Sequence, residues 1–182
     1  MRAFFALPLP EGHRRRLDAY LVECAELAPA FRWVEAENLH LTVRFIGWIE
    51  RVRAIELAAR IESRRPPGST LELGELGTFR QGRRVRVVWA GLGLGAEAAA
   101  AVAEVVEAEC AAAGLEPESR VFAPHLTLAR ARAREGAALP DLPPMPALGP
   151  WTADELILFQ SHLRRAGATY EALTRIRLGA SD

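Results

Sequence analysis

Lysine is absent from this chain, in which all 23 residues counted as lysine or arginine are arginines. A phosphate-loop NTPase needs the lysine of its nucleotide-binding motif. A Schiff-base enzyme needs a lysine amine, and so does a ligase that adenylates its own lysine. The sequence therefore excludes these classes, and we expect no ATP requirement.

Cysteines and long apolar runs are also scarce. Cys24 and Cys110 have no cysteine or histidine nearby at metal-ligand spacing. We therefore expect two buried free thiols in a reducing cytoplasm, with no metal site and no cofactor. No run approaches the roughly 18 apolar residues that a membrane span needs. The apolar N-terminal stretch ends at Pro8 and is more typical of a strand than of a signal peptide.

The overall composition is that of an ordinary globular protein. The chain has 182 residues, of which 50% are apolar and 25% are charged. This length predicts a single domain over residues 1–182 with a conventional core. Acidic and basic residues both number 23, so net charge does not indicate a polyanionic partner. Aromatic residues make up only 7%, and we expect few stacking platforms for single-stranded nucleic acid.

The hydrophobic pattern predicts interleaved helices and strands. Helices are predicted to begin near residues 11, 52 and 96. Strands are predicted at residues 4–7, 39–46, 71–76, 85–90, 122–129, 156–159 and 170–178. Gly114 is placed to cap the third helix in a left-handed conformation, and the proline-rich residues 131–150 predict a loop. Runs of strands without helices between them favour antiparallel pairing and therefore an α+β fold.

Two of the four histidines lie in the same tetrapeptide pattern, once in each half of the chain. Residues 40–43 are His-Leu-Thr-Val, and residues 125–128 are His-Leu-Thr-Leu. Side chains alternate along a strand, so the histidine and threonine of each motif share one face while the apolar residues share the other. The repeat indicates an internal duplication. If the halves pack about a pseudo-twofold axis, His40, Thr42, His125 and Thr127 converge on one cleft.

Such a cleft suits an in-line displacement at phosphorus. An imidazole titrates near neutral pH, so one histidine can act as a base while the other acts as an acid. The threonine hydroxyls can donate hydrogen bonds to phosphate oxygens. A zinc site fits less well, because threonine is a poor zinc ligand and no cysteine or carboxylate completes the set. The other histidines, His13 and His162, are expected at the surface.

The paired motifs and their flanks resemble a known superfamily, the two-histidine phosphoesterases. Residues 2–7, 40–47 and 124–130 resemble the bacterial and archaeal RNA 2′,3′-cyclic phosphodiesterases, a family earlier named 2′-5′ RNA ligase. Residues 159–163 and 167–170 also fit this family, so that the resemblance covers nearly the whole chain. It implies a bilobal α+β fold in which antiparallel sheets line a central cleft and helices lie outside.

The resemblance also implies an activity and residue roles. The activity is hydrolysis of a 2′,3′-cyclic phosphate at an RNA end to a 2′-phosphomonoester, in a cytoplasmic and monomeric enzyme. His40 would be the proton donor and His125 the proton acceptor, with Thr42 and Thr127 holding the phosphate. The near-symmetry of the two motifs leaves the donor and acceptor roles open when the residues alone are considered.

Two arginines next to the motifs are candidates for a positive group near the phosphate. Arg130 matches an arginine that often closes the second motif in the family. Strand alternation nevertheless places it on the face opposite His125 unless the strand bulges or ends. Arg44 is a second candidate, because it is an even number of residues from His40 and strand alternation places both on the same face. For both arginines, a surface ion pair is the competing interpretation.

Two alternative functions stay open at this stage. The same acid and base could act on 2′-5′ linkages, as a phosphodiesterase or in reverse as a ligase. Product analysis with short 2′-5′ and 3′-5′ oligonucleotides would distinguish this alternative. A protein that only binds RNA ends is the other alternative, and its binding would survive loss of both histidine side chains.

Overall fold

The computed structural model describes residues 1–164 and 167–180. Its elements in chain order are β1 (Arg2–Pro8), α1 (Glu11–Leu27), β2 (Phe31–Trp33), β3 (His40–Trp48), α2 (Arg51–Ser63), β4 (Ser69–Gln81), β5 (Arg84–Leu94), α3 (Ala96–Ala112), β6 (His125–Ala131), β7 (Trp151–Ala153), β8 (Glu155–Arg164) and β9 (Gly167–Arg177). A short 3₁₀ turn at Ala36–Asn38 precedes β3.

The strands form one antiparallel sheet in the order β7-β4-β5-β6-β3-β1-β8-β9, and β2 pairs with β6. Its two halves meet where β3 pairs with β6, through the single residue pair Leu41 and Leu126. This junction brings the two histidine motifs side by side although they are distant in sequence. The predicted α+β fold with antiparallel pairing is confirmed.

The helices cover one face of the sheet. Leu41 and Leu126 are fully buried in a core that also contains Leu17 of α1, Leu57 of α2 and Val102 of α3. Apolar burial of this kind contributes roughly 25 cal/mol per Å² and anchors the two motif strands. The histidine and threonine side chains therefore emerge on the face of the sheet that the helices leave open.

Three local predictions are confirmed, namely the buried free cysteines, the left-handed cap at Gly114 and the loop after β6. Cys24 and Cys110 are free and buried. Gly114 has a φ of 78°, and the Leu115 N–H donates to the Cys110 carbonyl at 3.0 Å, which closes the end of α3. Residues 132–150 contain no helix or regular strand, only an isolated bridge to Val85. Among the described residues, no helix is both long and apolar enough to cross a membrane.

Other boundaries differ from the sequence prediction. β6 begins at His125 rather than at residue 122, and the sequence pattern did not predict β2 or β7. Both unpredicted strands have only three residues, which is too short for an alternating pattern to be visible. They are strands because distant partners pair with them: β6 with β2, and β4 with β7.

A buried carboxylate ties α3 to α2. Glu109 is 4% exposed, and its carboxylate accepts hydrogen bonds from Arg60 Nε at 3.0 Å and Arg64 Nε at 2.6 Å. The hydrogen bond from Arg64, helped by Arg60, lowers the pKa of Glu109 although burial opposes the shift. A carboxyl with a lowered pKa in the folded state adds stability above its unfolded-state pKa and loses it as the pH falls.

We expect Glu109→Gln to lower the free energy of unfolding at pH 7 by about 1–3 kcal/mol, since it removes charged hydrogen bonds in a buried setting. The difference from wild type should narrow as the pH falls through the carboxyl range. Denaturant unfolding at several pH values measures both effects. Glu104→Gln, on an exposed position of the same helix, is the control. A difference that does not vary with pH would contradict this account.

Candidate active site

The two motifs lie next to each other at the junction of β3 and β6. The pairing of Leu41 with Leu126 is antiparallel. Continued by one residue in each direction, this register sets His40 across from Thr127 and Thr42 across from His125. All four polar side chains share the face opposite the buried leucines. The structure therefore brings together the four residues that the motifs single out.

Both imidazoles are anchored in the same way. Nδ1 of His40 lies 2.7 Å from the Asn38 carbonyl oxygen, and Nδ1 of His125 lies 2.7 Å from the Ala123 carbonyl oxygen. A carbonyl can only accept, so Nδ1 carries the hydrogen in each ring. In the neutral imidazole, Nε2 is then the nitrogen with the free lone pair. Each histidine has one nitrogen held by the backbone and one available to exchange a proton.

Aromatic rings surround each histidine. His40 contacts Phe4 with ring centroids 4.9 Å apart and meets Tyr170 edge-on at 5.1 Å. His125 meets Phe79 edge-on at 5.1 Å and lies 6.0 Å from Trp89. The low aromatic content predicts few stacking platforms for extended single strands, and these rings pack against the histidines instead. The fold concentrates a small number of rings where the histidines lie.

A glycine positions one of these rings. Gly77 of β4 pairs with Trp89 of β5, and a Cβ at Gly77 would overlap the indole. The missing side chain lets the indole lie over the neighbouring strand, as aromatic residues do across from glycine in sheets. Trp89 is held in this way against Phe79 and within reach of His125.

The aromatic surroundings change the acid–base properties of His40. Burial, reinforced by the nearby positive charge of Arg130, lowers the pKa of His40 to about 4, although its hydrogen bond to Asn38 opposes the shift. Desolvation disfavours the charged imidazolium. His40 is therefore neutral at pH 7 in the unliganded protein.

A β-bulge removes Arg44 from the site. Phe5 pairs with Arg44 and Ala6 pairs with Thr42, so Val43 is an extra residue in β3. The bulge reverses the alternation. Arg44 forms ion pairs with Glu107 at 2.6 Å and Glu118 at 3.4 Å, and its side chain is only 11% exposed. Regular strand alternation predicted that Arg44 faces the cleft, and this prediction is wrong.

An equivalent bulge returns Arg130 to the site. Thr127 pairs with Trp89 and Ala129 pairs with Val88, so that Leu128 is the extra residue in β6. Arg130 then lies on the face of His125, and its positive charge lowers the pKa of His40 and opposes the rise in the pKa of Tyr170 that burial causes. Strand alternation placed Arg130 on the face of His125 only if the strand bulged, and β6 does bulge at Leu128.

The two bulges also show which residues sequence reasoning missed. After the bulge in β3, Phe45 occupies the position that Arg130 has after the bulge in β6. Phe45 contacts Phe4, with centroids 5.7 Å apart, and it is 56% exposed. The equal spacing from each histidine, five residues in both motifs, was visible in the sequence. Its meaning depended on the two matching bulges.

The remaining histidines lie outside the cleft. His162 is partly exposed, and its Nε2 lies 3.1 Å from Glu171, in line with the predicted surface position. His13 is not simply solvated as expected. Its Nε2 lies 3.0 Å from the Gly149 carbonyl oxygen, and its ring packs edge-on against Trp151. The interaction ties α1 to the end of the long loop.

Space for a ligand opens beside His40. A cavity of about 340 Å³ adjoins His40 and is lined by both aromatic and polar groups, including Phe159, Tyr170 and Asn38. Within residues 1–164 and 167–180, no group of three or more histidine, cysteine or acidic side chains is arranged to hold a metal ion. The chemistry available at the cleft is therefore proton transfer and hydrogen bonding to an anion.

Comparison with known proteins agrees with this geometry. A family model described as LigT like phosphoesterase matches residues 7–89 and 94–170. A relative from Aeropyrum pernix named RNA 2′,3′-cyclic phosphodiesterase is 37% identical over 152 residues, which are 81% of this chain and 86% of the relative. A relative of the same name from Escherichia coli is 33% identical over 178 residues, covering 96% of this chain and 94% of the relative.

Solved structures show the same fold. Escherichia coli LigT complexed with 3′-AMP superimposes with a TM-score of 0.80 at 29% identity, with 97% of each chain covered. The protein TT0787 of Thermus thermophilus superimposes with a TM-score of 0.82 at 26% identity, with 98% of each chain covered. The paired histidine motifs, the fold and the family match agree, and the chain belongs to the LigT-like phosphoesterase family.

Proposed function

We propose that this protein hydrolyses the 2′,3′-cyclic phosphate at RNA ends to a 2′-phosphomonoester by two-histidine acid–base catalysis without a metal ion. The observation that carries the proposal is the meeting of both motifs at the Leu41–Leu126 pair, each with its histidine anchored through Nδ1. Relatives named for this activity and a relative solved with a bound nucleotide support the same substrate class.

The reaction needs a base and an acid on opposite sides of phosphorus. Nε2 of His125 accepts a proton from water while the water oxygen forms a bond to phosphorus. The bond from phosphorus to the ribose 3′ oxygen breaks, and that oxygen takes a proton from Nε2 of His40. Water is consumed, and the phosphate stays on the 2′ oxygen. This assignment of the two roles follows the family resemblance.

His40 must gain a proton to act as the acid. Its pKa of about 4 in the unliganded protein leaves it neutral at pH 7. A bound cyclic phosphate carries a negative charge beside the ring, and an opposite charge at close range favours the imidazolium. Substrate binding therefore raises the pKa of His40, so that its Nε2 is protonated when the substrate is in place.

The other polar groups hold the phosphate. Thr42 and Thr127 lie on the face of the histidines, where their hydroxyls can donate to the non-bridging oxygens. Arg130 adds a guanidinium, whose planar donors match a phosphate better than a point charge does. We propose that these residues bind substrate and that the enzyme works in the cytoplasm as a monomer.

Product analysis tests the proposal. Incubation with an oligoribonucleotide that ends in a 2′,3′-cyclic phosphate should give only the 2′-phosphate. An excess of EDTA should leave the rate unchanged. Phosphorus NMR identifies the isomer. The same oligonucleotide with a 3′-phosphate end is the control and should stay intact.

Three outcomes would contradict parts of this account. A 3′-phosphate product would overturn the orientation of the acid and base. A mixture of isomers would show that the cleft does not hold the ribose in one pose. Activity lost in EDTA and restored by zinc or magnesium would refute the metal-independent mechanism.

A further inference from the structure

Two arginines lie directly opposite each other beside the active site. In the register of β2 with β6, Arg32 pairs with Arg130. Residues directly opposite across an antiparallel pair extend from the same face, with Cβ atoms about 4.5–5.5 Å apart. Both side chains are exposed, whereas the preceding residue, Phe31, is 1% exposed and lies in the core on the other side.

These two positive charges have no negative partner among the residues that the structure describes. Within the part of the chain that the structure describes, neither guanidinium has a carboxylate within 4.0 Å. Like charges directly opposite in a sheet are destabilising. The arrangement therefore works against folding unless an anion bridges the pair.

Neighbouring arginines are already engaged with the protein. Arg84 donates to the Gly136 carbonyl at 3.2 Å, and Arg132 donates to the Pro29 carbonyl at 3.1 Å. Arg86 donates to the side chain of Gln81 at 3.2 Å. Among the described residues, Arg32 and Arg130 make no such side-chain hydrogen bond, so that their guanidinium donors stay free for a ligand.

The pair belongs to a row of residues that reaches the catalytic histidine. Arg130 pairs with Val87 of β5, and Val87 pairs with Phe79 of β4. Phe79 contacts the ring of His125. Arg130 also acts electrostatically on His40. Arg32 is the member of the row at its outer end, one strand beyond Arg130.

We propose that Arg32, together with Arg130, binds the internucleotide phosphate on the 5′ side of the terminal ribose. The inference rests on the proposed RNA substrate and adds a preference for an RNA end over a free nucleoside 2′,3′-cyclic phosphate. Arg130 acts electrostatically on His40 and is therefore assigned to the side of the pair near the reacting phosphate, and Arg32, one strand further out, is assigned to the next phosphate of the RNA. A guanidinium pair suits a phosphodiester, because each can donate two parallel hydrogen bonds to its oxygens.

The test compares two substrates on three proteins. The substrates are a nucleoside 2′,3′-cyclic monophosphate, which lacks the internucleotide phosphate, and a dinucleotide ending in the same cyclic phosphate. The proteins are wild type, Arg32→Gln and the control Arg51→Gln, which removes an exposed charge from α2. Wild type should show the higher kcat/KM on the dinucleotide. We expect Arg32→Gln to lower kcat/KM about tenfold for the dinucleotide and clearly less for the mononucleotide. Arg51→Gln should have the kcat/KM of wild type for both substrates.

Salt dependence and stability give two further measurements. Added salt screens the attraction between a guanidinium and a phosphate, so kcat/KM for the dinucleotide should fall as the salt concentration rises. Arg32→Gln should make this salt dependence shallower than that of wild type. Its melting temperature should not fall, because the substitution relieves a like-charge pair. A purely structural role for Arg32 would lower the melting temperature instead.

The outcomes separate this inference from the proposed function. Suppose that wild type hydrolyses both substrates and that Arg32→Gln lowers kcat/KM equally for both or not at all. The phosphate site is then refuted and the proposed function stands. If wild type hydrolyses neither substrate, the proposed function fails and the inference fails with it. A selective loss on the dinucleotide with a reduced salt slope supports the site.

Discussion

His40→Ala and His125→Ala each lower kcat by about 10²–10⁴-fold, the usual contribution of a positioned proton-transfer group. Both losses are expected because each ring presents one free nitrogen, Nε2, to the cleft and its other nitrogen is held by a backbone carbonyl. Steady-state hydrolysis of an RNA end with a cyclic phosphate measures the effect. The kcat of the double variant should be only slightly below that of the less active single variant, since the effects of residues that act together are not additive.

His162→Ala is the matched control, since this histidine is partly exposed and pairs with Glu171 outside the cleft. It should retain wild-type activity. Circular dichroism and thermal melting establish that each variant is folded. Wild-type turnover by either cleft variant would refute the two-histidine mechanism, and RNA-end binding without any turnover by wild type would favour the binding-protein alternative.

The lowered pKa of His40 adds a pH signature to this result. Followed by NMR, the imidazole should titrate near pH 4 in the free protein and at higher pH when a 2′-phosphate product is bound. A histidine whose pKa is lower in the folded state than the ordinary 6.5 binds protons more readily when unfolded. Its contribution to stability is therefore complete above about pH 6.5 and is lost as the pH falls toward 4. An ordinary titration near pH 6.5 would contradict the burial argument.

Thr42→Val and Thr127→Val should each lower kcat/KM by about 10–100-fold, because in the proposed mechanism each hydroxyl donates to the charged phosphate. Hydrogen bonds to charged groups are worth about 1.5–3 kcal/mol. Valine keeps the shape and the strand preference of threonine, so that the sheet should be preserved. The loss should be smaller than that of either histidine variant, because no proton transfer is removed.

Thr→Ser at either position keeps a hydroxyl and should restore most of the activity. Thr70→Val, at an exposed position of β4, is the control for the substitution itself. Equal activity of the valine and serine variants would show that the hydroxyls do not contact the phosphate. A loss that appears only in the melting temperature would assign the threonines a structural role.

The candidate site shows how far local pattern alone can predict. Two-residue alternation placed His40 and Thr42 on one face, and the repeat at His125 and Thr127 predicted a shared cleft. That prediction needed only strand geometry, which is a local property. The same rule failed for Arg44 and required an exception for Arg130. Each lies just beyond a bulge, and a bulge depends on how the partner strand pairs.

By itself, the sequence determined the α+β class, the three helices, the paired motifs and the exclusion of lysine chemistry, because these depend on composition and short-range periodicity. Only the tertiary structure decided which arginines face the cleft and how the rings gather around the histidines. It also set the neutral state of His40 and the meeting of Arg32 with Arg130. These features arise from pairing between residues far apart in the chain and from the burial that such pairing creates, which no short window of sequence contains.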